Sequence, residues 1–234
     1  MTKGILYDLD GTLLDSYDRI VEGVLETFAS FGKPVKREDC RPEVSWEWLC
    51  TKRDIDFQRF LQRYNELLMS AEEAIDREII RPFPDTISTL EAMAEMGIKQ
   101  AVITRKVREQ EAGEMVDRFG LGRFLTGIYV TPASKQQYPD KRSEAADAIL
   151  DMVPTRGVYI VGDSEPDDVG TGLVLKERLP IEVNVVFLDR WEKGTTKADY
   201  LIKEIGELVQ VVKDPAYARQ HYPKDTGRRM LSGN

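Results

Sequence analysis

Apolar and polar positions follow a repeated strand-then-helix order along most of the chain. Short runs rich in Val, Ile, Leu and Tyr predict buried strands, and apolar residues spaced three and four apart between them predict amphipathic helices. Parallel strands need such helical crossovers, so the pattern predicts an α/β fold with a doubly wound parallel sheet. The carboxyl ends of its strands share one edge, where ligands bind. The predicted strands are Gly4–Tyr7, Lys99–Ile103, Gly127–Val130, Val158–Val161 and Val183–Leu188, and the predicted helices are Thr86–Met96, Glu109–Phe119, Glu144–Met152 and the segment after Asp168.

Residues 17–80 interrupt this order, because they hold apolar stripes at helical spacing and no convincing strand. The longest stripe predicts one helix from about Asp56 to Arg77. The segment Arg81-Pro82-Phe83-Pro84 then leads back to the α/β part. We therefore predict three regions: an α/β core domain of residues 1–16 and 81–212, a helical domain of residues 17–80, and a polar C-terminal tail of residues 213–234.

Composition narrows the class of protein. The 234 residues are 41% hydrophobic and 32% charged, with a formal net charge of −8, which argues against non-specific binding to nucleic acid or to an anionic membrane. No apolar run approaches the roughly 20 residues of a membrane-spanning helix, and the first residues do not resemble a signal peptide, so we expect a cytoplasmic protein. Two cysteines in unrelated contexts argue against a disulfide framework or a zinc site.

The most informative motif follows the first predicted strand. Asp8 and Asp10 alternate with Leu9, so strand geometry sends both carboxylates to one side, and Gly11 allows a sharp turn. Two carboxylates this close repel each other unless a cation or a proton neutralises them. The pattern suits a hard cation, with one carboxylate as nucleophile and the other as acid/base. A plain Asp-Gly hairpin is the alternative, but helical spacing over residues 15–31 disfavours it.

A second polar position follows the second predicted strand. Thr104 comes directly after Ile103 and before Arg105 and Lys106. A hydroxyl at a strand end, close to the N-terminus of a helix, is a suitable seat for a phosphate group. The alternative is that Thr104 only caps the following helix.

A third motif repeats the strand-and-acid arrangement. Gly162 and Asp163 end a predicted strand, and Asp167 and Asp168 open the next helix. Carboxylates are favourable at a helix N-terminus, which explains Asp167 and Asp168 without a ligand. Asp163 has no such explanation, and on the same sheet edge as Asp8 and Asp10 it would complete a Mg²⁺ site. Lys141, before the preceding helix, could pair with Asp8 and a phosphoryl oxygen, or be a solvated loop lysine.

Together these motifs resemble the haloacid dehalogenase (HAD) superfamily over about residues 3–210. Asp8-Leu9-Asp10-Gly11-Thr12 matches the first family motif, and Gly162-Asp163 with Asp167 or Asp168 matches the fourth. A helical insertion directly after the first motif is similar to the cap of the phosphoglycolate phosphatase-like branch. The resemblance implies a Rossmann-like core domain with a small α-helical cap.

The resemblance also implies roles for single residues. Asp8 is the nucleophile that takes the phosphoryl group, and Asp10 protonates the leaving oxygen and then activates water. Thr104 and Lys141 hold the phosphoryl group. Beyond the resemblance, we expect Arg105, next to Thr104, to be a further phosphate-binding residue. The implied Mg²⁺ ligands are Asp8, the Asp10 backbone carbonyl, Asp163, and Asp167 or Asp168 acting through water.

Two positions depart from the family pattern. Arg105 stands where relatives usually have Asn, and Arg142 stands where they usually have Pro after the third-motif lysine. Lys135 therefore remains an alternative to Lys141. The extra basic residues could favour a more anionic substrate.

The function that the resemblance implies is hydrolysis of a phosphate ester. We expect a Mg²⁺-dependent phosphatase, monomeric or homodimeric, that hydrolyses a small phosphorylated metabolite (phosphoglycolate-like, or a sugar or nucleotide monophosphate) through an aspartyl-phosphate. The alternatives are a phosphomutase of the same family and a non-catalytic phosphate- or partner-binding protein that retains the fold.

Overall fold

The computed structural model describes residues 3–40, 44–106, 108, 110–132, 141–153, 156–192 and 196–216. The chain divides into two compact units. We call Met1–Leu13 with Pro82–Asn234 the α/β unit, and Leu14–Arg81 the helical unit. The strands are β1 (Lys3–Tyr7), β2 (Leu14–Asp15), β3 (Arg81–Pro82), β4 (Lys99–Lys106), β5 (Gly127–Pro132), β6 (Gly157–Gly162), β7 (Glu182–Leu188) and β8 (Tyr200–Ile202), and the helices are α1 (Tyr17–Ser30), α2 (Trp46–Lys52), α3 (Phe57–Leu67), α4 (Ala71–Asp76), α5 (Thr86–Glu95), α6 (Gln110–Arg118), α7 (Arg142–Met152), α8 (Gly170–Arg178) and α9 (Leu208–Lys213).

The α/β unit is built on a sheet with the strand order β5-β4-β1-β6-β7-β8. All neighbouring strands in it are parallel. The chain runs outward from β1 through β4 to β5 and then returns to β6 on the other side of β1. Such a reversal opens a crevice beyond the carboxyl ends of the central strands. The predicted doubly wound α/β fold is confirmed.

Helices cover both faces of this sheet. Leu6, Ile103 and Ile160 point to one face, where they form a continuous apolar core with α7 and α8. Their sequence neighbours point the other way, as strand alternation requires, and α5 and α6 pack against β4 there. Burial on both faces explains why the central strands are continuous apolar runs.

The five predicted strands are all present, and β4 differs most from its prediction. It extends three residues beyond Ile103, because Thr104, Arg105 and Lys106 stay in register with Val130, Thr131 and Pro132 of β5. The last strand, β8, and the helix α9 were not predicted, since both are very short. Most of the predicted tail lies outside the described residues.

The helical unit is organised around stacked aromatic rings. Phe60 is fully buried, with its ring 4.7 Å from that of Phe28 and 6.3 Å from that of Trp46. Trp48, by contrast, is 54% exposed, and the ammonium of Lys52 lies over its ring. Trp46 therefore packs within the unit, whereas Trp48 lies at its surface.

The predicted long helix from Asp56 to Arg77 is wrong, because the chain breaks into α3 and α4 around Met69. The Met69 carbonyl accepts hydrogen bonds from the buried Arg19 side chain, at 2.8 Å from Nε and 2.6 Å from Nη2. The Ser70 hydroxyl then caps α4 by accepting from the Glu73 N–H at 3.2 Å. A local cap and a long-range contact together outweigh the continuous apolar stripe.

Among the described residues, no helix combines the length and apolarity required to cross a bilayer.

Candidate active site

The first motif lies at the carboxyl edge of the sheet. Asp8 directly follows β1, and its N–H donates to the Val161 carbonyl of β6 at 2.9 Å. Gly11 has a φ of +74°, and a Cβ there would lie 2.5 Å from an Asp163 carboxylate oxygen. Glycine is therefore required both by the backbone angle and by this close approach. The turn after β1 passes directly against the end of β6, so the first and third sequence motifs meet.

The end of β6 is shaped by a short π-helical turn over Glu165–Val169. A Cβ on Gly162 would collide with the Asp168 carboxyl group. One oxygen of that group, Oδ2, accepts from the Ser164 N–H at 3.0 Å. The turn thus folds Asp168 back towards the strand end instead of leaving it as an exposed residue at a helix start.

A buried lysine lies among these carboxylates. Lys141 is 2% exposed at the residue before α7. Its Nζ is 2.9 Å from Asp8 Oδ1, 2.8 Å from Asp168 Oδ1 and 3.4 Å from Asp167 Oδ2. The solvated-loop alternative for Lys141 is therefore wrong. Its competitor, Lys135, lies outside the described residues.

Three carboxylates converge beside this lysine. Oxygens of Asp8, Asp163 and Asp168 all lie within 4.8 Å of one another. Carboxylate oxygens are the ligands that Mg²⁺ prefers, so this group fits a hard divalent cation. Of the other two predicted metal residues, Asp167 faces the cations of Lys141 and Arg105. The Asp10 carboxylate pairs with Lys106, whereas the atom predicted as a ligand at this residue is its backbone carbonyl.

Burial and mutual repulsion raise the pKa values of two carboxyl groups in this cluster. Burial, followed by the charges of Asp168 and Asp10, raises the pKa of Asp8 to about 7, although Lys141 opposes the rise. Burial and the neighbouring Asp167 and Asp163 likewise raise the pKa of Asp168 to about 6. Burial alone would lower the pKa of Lys141, but the carboxylates around it hold that pKa well above its usual value. The site is short of positive charge, as expected of one that binds a cation.

The predicted phosphate-binding residues of β4 occupy different environments. Thr104 is 1% exposed and lies inside the strand, well before α6 begins, so it does not cap that helix. Its buried hydroxyl has no hydrogen-bond partner among the residues that the structure describes, which leaves it able to bind a ligand oxygen. Arg105, on the opposite face of the strand, approaches Asp167 Oδ2 at 3.5 Å through Nη2.

Sequence reasoning missed the role of Lys106 in this region. Its ammonium forms a buried ion pair with Asp10 Oδ2. The side chain is 4% exposed although it belongs to a charged residue at a strand end. Alternation along β4 places Lys106 on the same face as Thr104, and that spacing was the one available signal.

Comparison with known proteins shows which family this chain resembles. The model of the haloacid dehalogenase-like hydrolase family matches residues 5–172. The chain is 27% identical over 180 residues to a phosphoglycolate phosphatase of Pseudomonas savastanoi pv. phaseolicola, covering 71% of this chain and 64% of that protein. It is 25% identical over 228 residues to a candidate pyrophosphatase, PpaX, of Caldanaerobacter subterraneus, covering 89% of this chain and 94% of that protein.

Solved structures share the fold. A predicted phosphatase from Clostridium acetobutylicum superposes with a TM-score of 0.68 at 18% identity, over 91% of this chain and 99% of the other. A candidate β-phosphoglucomutase from Thermotoga maritima superposes with a TM-score of 0.62 at 20% identity, over 91% and 99%. The family model covers both strand-end motifs, so the protein belongs to the haloacid dehalogenase-like hydrolase family.

Proposed function

We propose that this protein is a Mg²⁺-dependent phosphatase that hydrolyses a small phosphorylated metabolite, phosphoglycolate-like or a sugar or nucleotide monophosphate, through an aspartyl-phosphate. One observation carries the proposal: a buried ammonium, Lys141 Nζ, lies 2.9 Å from Asp8 Oδ1 within a cluster of three carboxylates. The names of the related proteins, which include phosphoglycolate phosphatases and a candidate pyrophosphatase, support the reaction class.

In the first half of the reaction, an Asp8 carboxylate oxygen attacks phosphorus and the bond from phosphorus to the ester oxygen breaks. Asp10 gives its proton to the departing oxygen, so that an alcohol leaves. Lys141 offsets the charge on the phosphoryl oxygens, and the Thr104 hydroxyl donates a hydrogen bond to one of them. Phosphoryl transfer of this kind depends on positioning and on charge neutralisation.

In the second half, water attacks the phosphorus of the aspartyl-phosphate. Asp10, now a carboxylate, takes a proton from that water, and the bond from phosphorus to the Asp8 oxygen breaks. The products are inorganic phosphate, the free Asp8 carboxylate and protonated Asp10. Both halves use the same proton carrier, as general acid and then as general base.

Asp8, Asp163 and Asp168 would hold the Mg²⁺ ion, which would supply positive charge to the phosphoryl oxygens. Asp168 is the better ligand of the acidic pair in the π-helical turn, because it belongs to the three-carboxylate cluster. Lys141 contacts both carboxylates of the pair, and Arg105 approaches Asp167. We therefore expect Asp168→Asn to weaken Mg²⁺ binding more than Asp167→Asn does, which isothermal titration with Mg²⁺ measures directly.

The function is tested with p-nitrophenyl phosphate in the presence of Mg²⁺. We expect turnover that stops when EDTA is added and returns with excess Mg²⁺. Asp8→Asn should abolish it, whereas the matched control Asp117→Asn, an exposed position of α6, should not change it. A folded wild-type protein that releases no phosphate from this ester or from a panel of phosphorylated metabolites would contradict the proposal. Interconversion of glucose phosphates without release of phosphate would favour the phosphomutase.

A further inference from the structure

Lys106 is buried where a charged residue would ordinarily be exposed. It is the last residue of β4, and its ammonium contacts Asp10 Oδ2 and the Met115 sulfur of α6, the latter at 3.3 Å. Placing an ammonium in such surroundings is costly unless a carboxylate compensates it. The side chain is therefore committed to Asp10, whose own carboxyl group is 24% exposed.

The two partners differ in how firmly their backbones are held. Lys106 belongs to a strand that pairs with β1 over residues 99–102, and Lys106 itself lies opposite Pro132 in the register with β5. Asp10 lies in the turn after β1, next to Gly11 with its positive φ. A side chain on a turn has more freedom than one on a central strand. An ion pair from the strand to the turn limits the torsion angles of the Asp10 side chain.

Successive residues of β4 serve opposite faces of the strand. Arg105 approaches Asp167 and the Lys141 cluster on one face, whereas Lys106 approaches Asp10 on the other. The charge of Lys106 is therefore directed at the proposed proton carrier, and the charges of Lys141 and Arg105 are directed at the nucleophile and its neighbours.

We propose that Lys106 is a positioning residue that holds the Asp10 carboxyl group in place for proton transfer to and from the reacting oxygens. The inference rests on the proposed phosphatase function. Proton transfer demands hydrogen-bond distance to the reacting oxygen, and a displacement of about 1 Å can lower a rate on the order of 100-fold. Lys106 acts through Asp10 and does not itself touch the substrate.

The test uses phosphate monoesters that differ in their need for a proton. A p-nitrophenolate departs without one, whereas an alkoxide requires one, so kcat/KM for alkyl esters depends on Asp10 most strongly. We expect Lys106→Met to lower kcat/KM about 10- to 100-fold for alkyl phosphates and about threefold or less for p-nitrophenyl phosphate. A plot of log kcat/KM against the leaving-group pKa should therefore become steeper than in the wild type. Loss of folded protein would lower the apparent kcat/KM for all esters by the same factor and would leave the slope of the plot unchanged.

A double substitution tests whether the effect passes through Asp10. In the Asp10→Asn background, Lys106→Met should change kcat/KM by no more than about twofold, because the group that Lys106 positions is already gone. Lys99→Met, at the exposed start of the same strand, is the matched control and should leave kcat/KM unchanged for every ester. Lys106→Gln, which keeps a hydrogen-bond donor, provides a second variant if Lys106→Met does not fold.

Each outcome counts for or against one proposal. An unchanged slope in folded Lys106→Met or Lys106→Gln, or a full additional loss in the Asp10→Asn background, overturns the role of Lys106 while the phosphatase stands. If the wild type hydrolyses none of the esters, the proposed function itself fails.

Discussion

A buried cation of the α/β unit, Lys141, and one of the helical unit, Arg19, have different partners. In the α/β unit, Lys141 is surrounded by the carboxylates of Asp8, Asp167 and Asp168. In the helical unit, the buried Arg19 side chain donates to the backbone carbonyl of Met69. A backbone carbonyl satisfies a donor and fixes a chain break, whereas crowded carboxylates leave excess negative charge that a ligand can use. Burial of a charge alone therefore does not indicate a functional site; the charge balance around it does.

The largest effect is expected when the Lys141 ammonium of the α/β unit is removed. Lys141→Met leaves buried carboxylates without their ammonium, which should abolish turnover and lower the free energy of unfolding by about 3–5 kcal/mol. Urea unfolding and kcat on p-nitrophenyl phosphate measure the two losses. Activity and stability both close to those of the wild type would show that Lys141 is a bystander.

The next largest effect is expected in the aromatic cluster of the helical unit. Phe60→Ala removes a fully buried ring and should destabilise the protein by about 3–5 kcal/mol, since the surrounding rings can only partly fill the space. Trp48→Ala, which removes a mostly exposed ring, is the matched control and should change the unfolding free energy by less than about 1 kcal/mol. Equal effects of the two substitutions would contradict the distinction between packed and surface aromatics.

Removing the cation of the helical unit should have a smaller and purely structural effect. Arg19→Met leaves the Met69 carbonyl without the guanidinium that it accepts from, which should cost about 1–3 kcal/mol of stability. The affinity for Mg²⁺ should stay within about twofold of the wild type. The proposed Mg²⁺ ligands are carboxylates of the α/β unit, whereas Arg19 belongs to the helical unit. Calorimetric titration with Mg²⁺ and thermal unfolding of the same sample check both statements. A large loss of Mg²⁺ affinity would remove the contrast between the two buried cations.

A further effect expected is a pH dependence of stability in the metal-free protein. The folded-state pKa of Asp8 is about 7 and that of Asp168 about 6, both above the ordinary value of 3.8. The folded state thus holds protons that the unfolded state releases, so stability that is complete below about pH 4 is lost as the pH rises through 6 to 7. In EDTA, the melting temperature of Asp8→Asn minus that of the wild type should therefore increase as the pH rises from about 5 to about 8. Excess Mg²⁺ should reduce this increase. A difference in melting temperature that does not vary with pH would count against the raised pKa values.

Much of the fold could be read from periodicity, because strands buried on both faces are continuous apolar runs and the crossover helices are amphipathic. The errors occur where a long-range contact overrides a local pattern. The apolar stripe across Met69 predicted one helix. In the structure the Met69 carbonyl instead accepts a hydrogen bond from Arg19, fifty positions away along the chain, and the helix is interrupted there. The end of β4 was misjudged for a similar reason, since polar Thr104, Arg105 and Lys106 remain in the strand only because β5 pairs with them.

Residue types and their order could be read from the sequence: acidic turns after two strands, a hydroxyl at the end of a third, and lysines nearby. These are local features, because strand, turn and helix signals depend on neighbouring residues. Which charges meet depends on the tertiary fold, which places Lys141 among Asp8, Asp167 and Asp168, and Lys106 against Asp10. The physical reason is that ion pairing needs groups within a few ångströms of each other. Partners about a hundred or more positions apart in the chain are brought together by strand order and register, which local patterns do not encode.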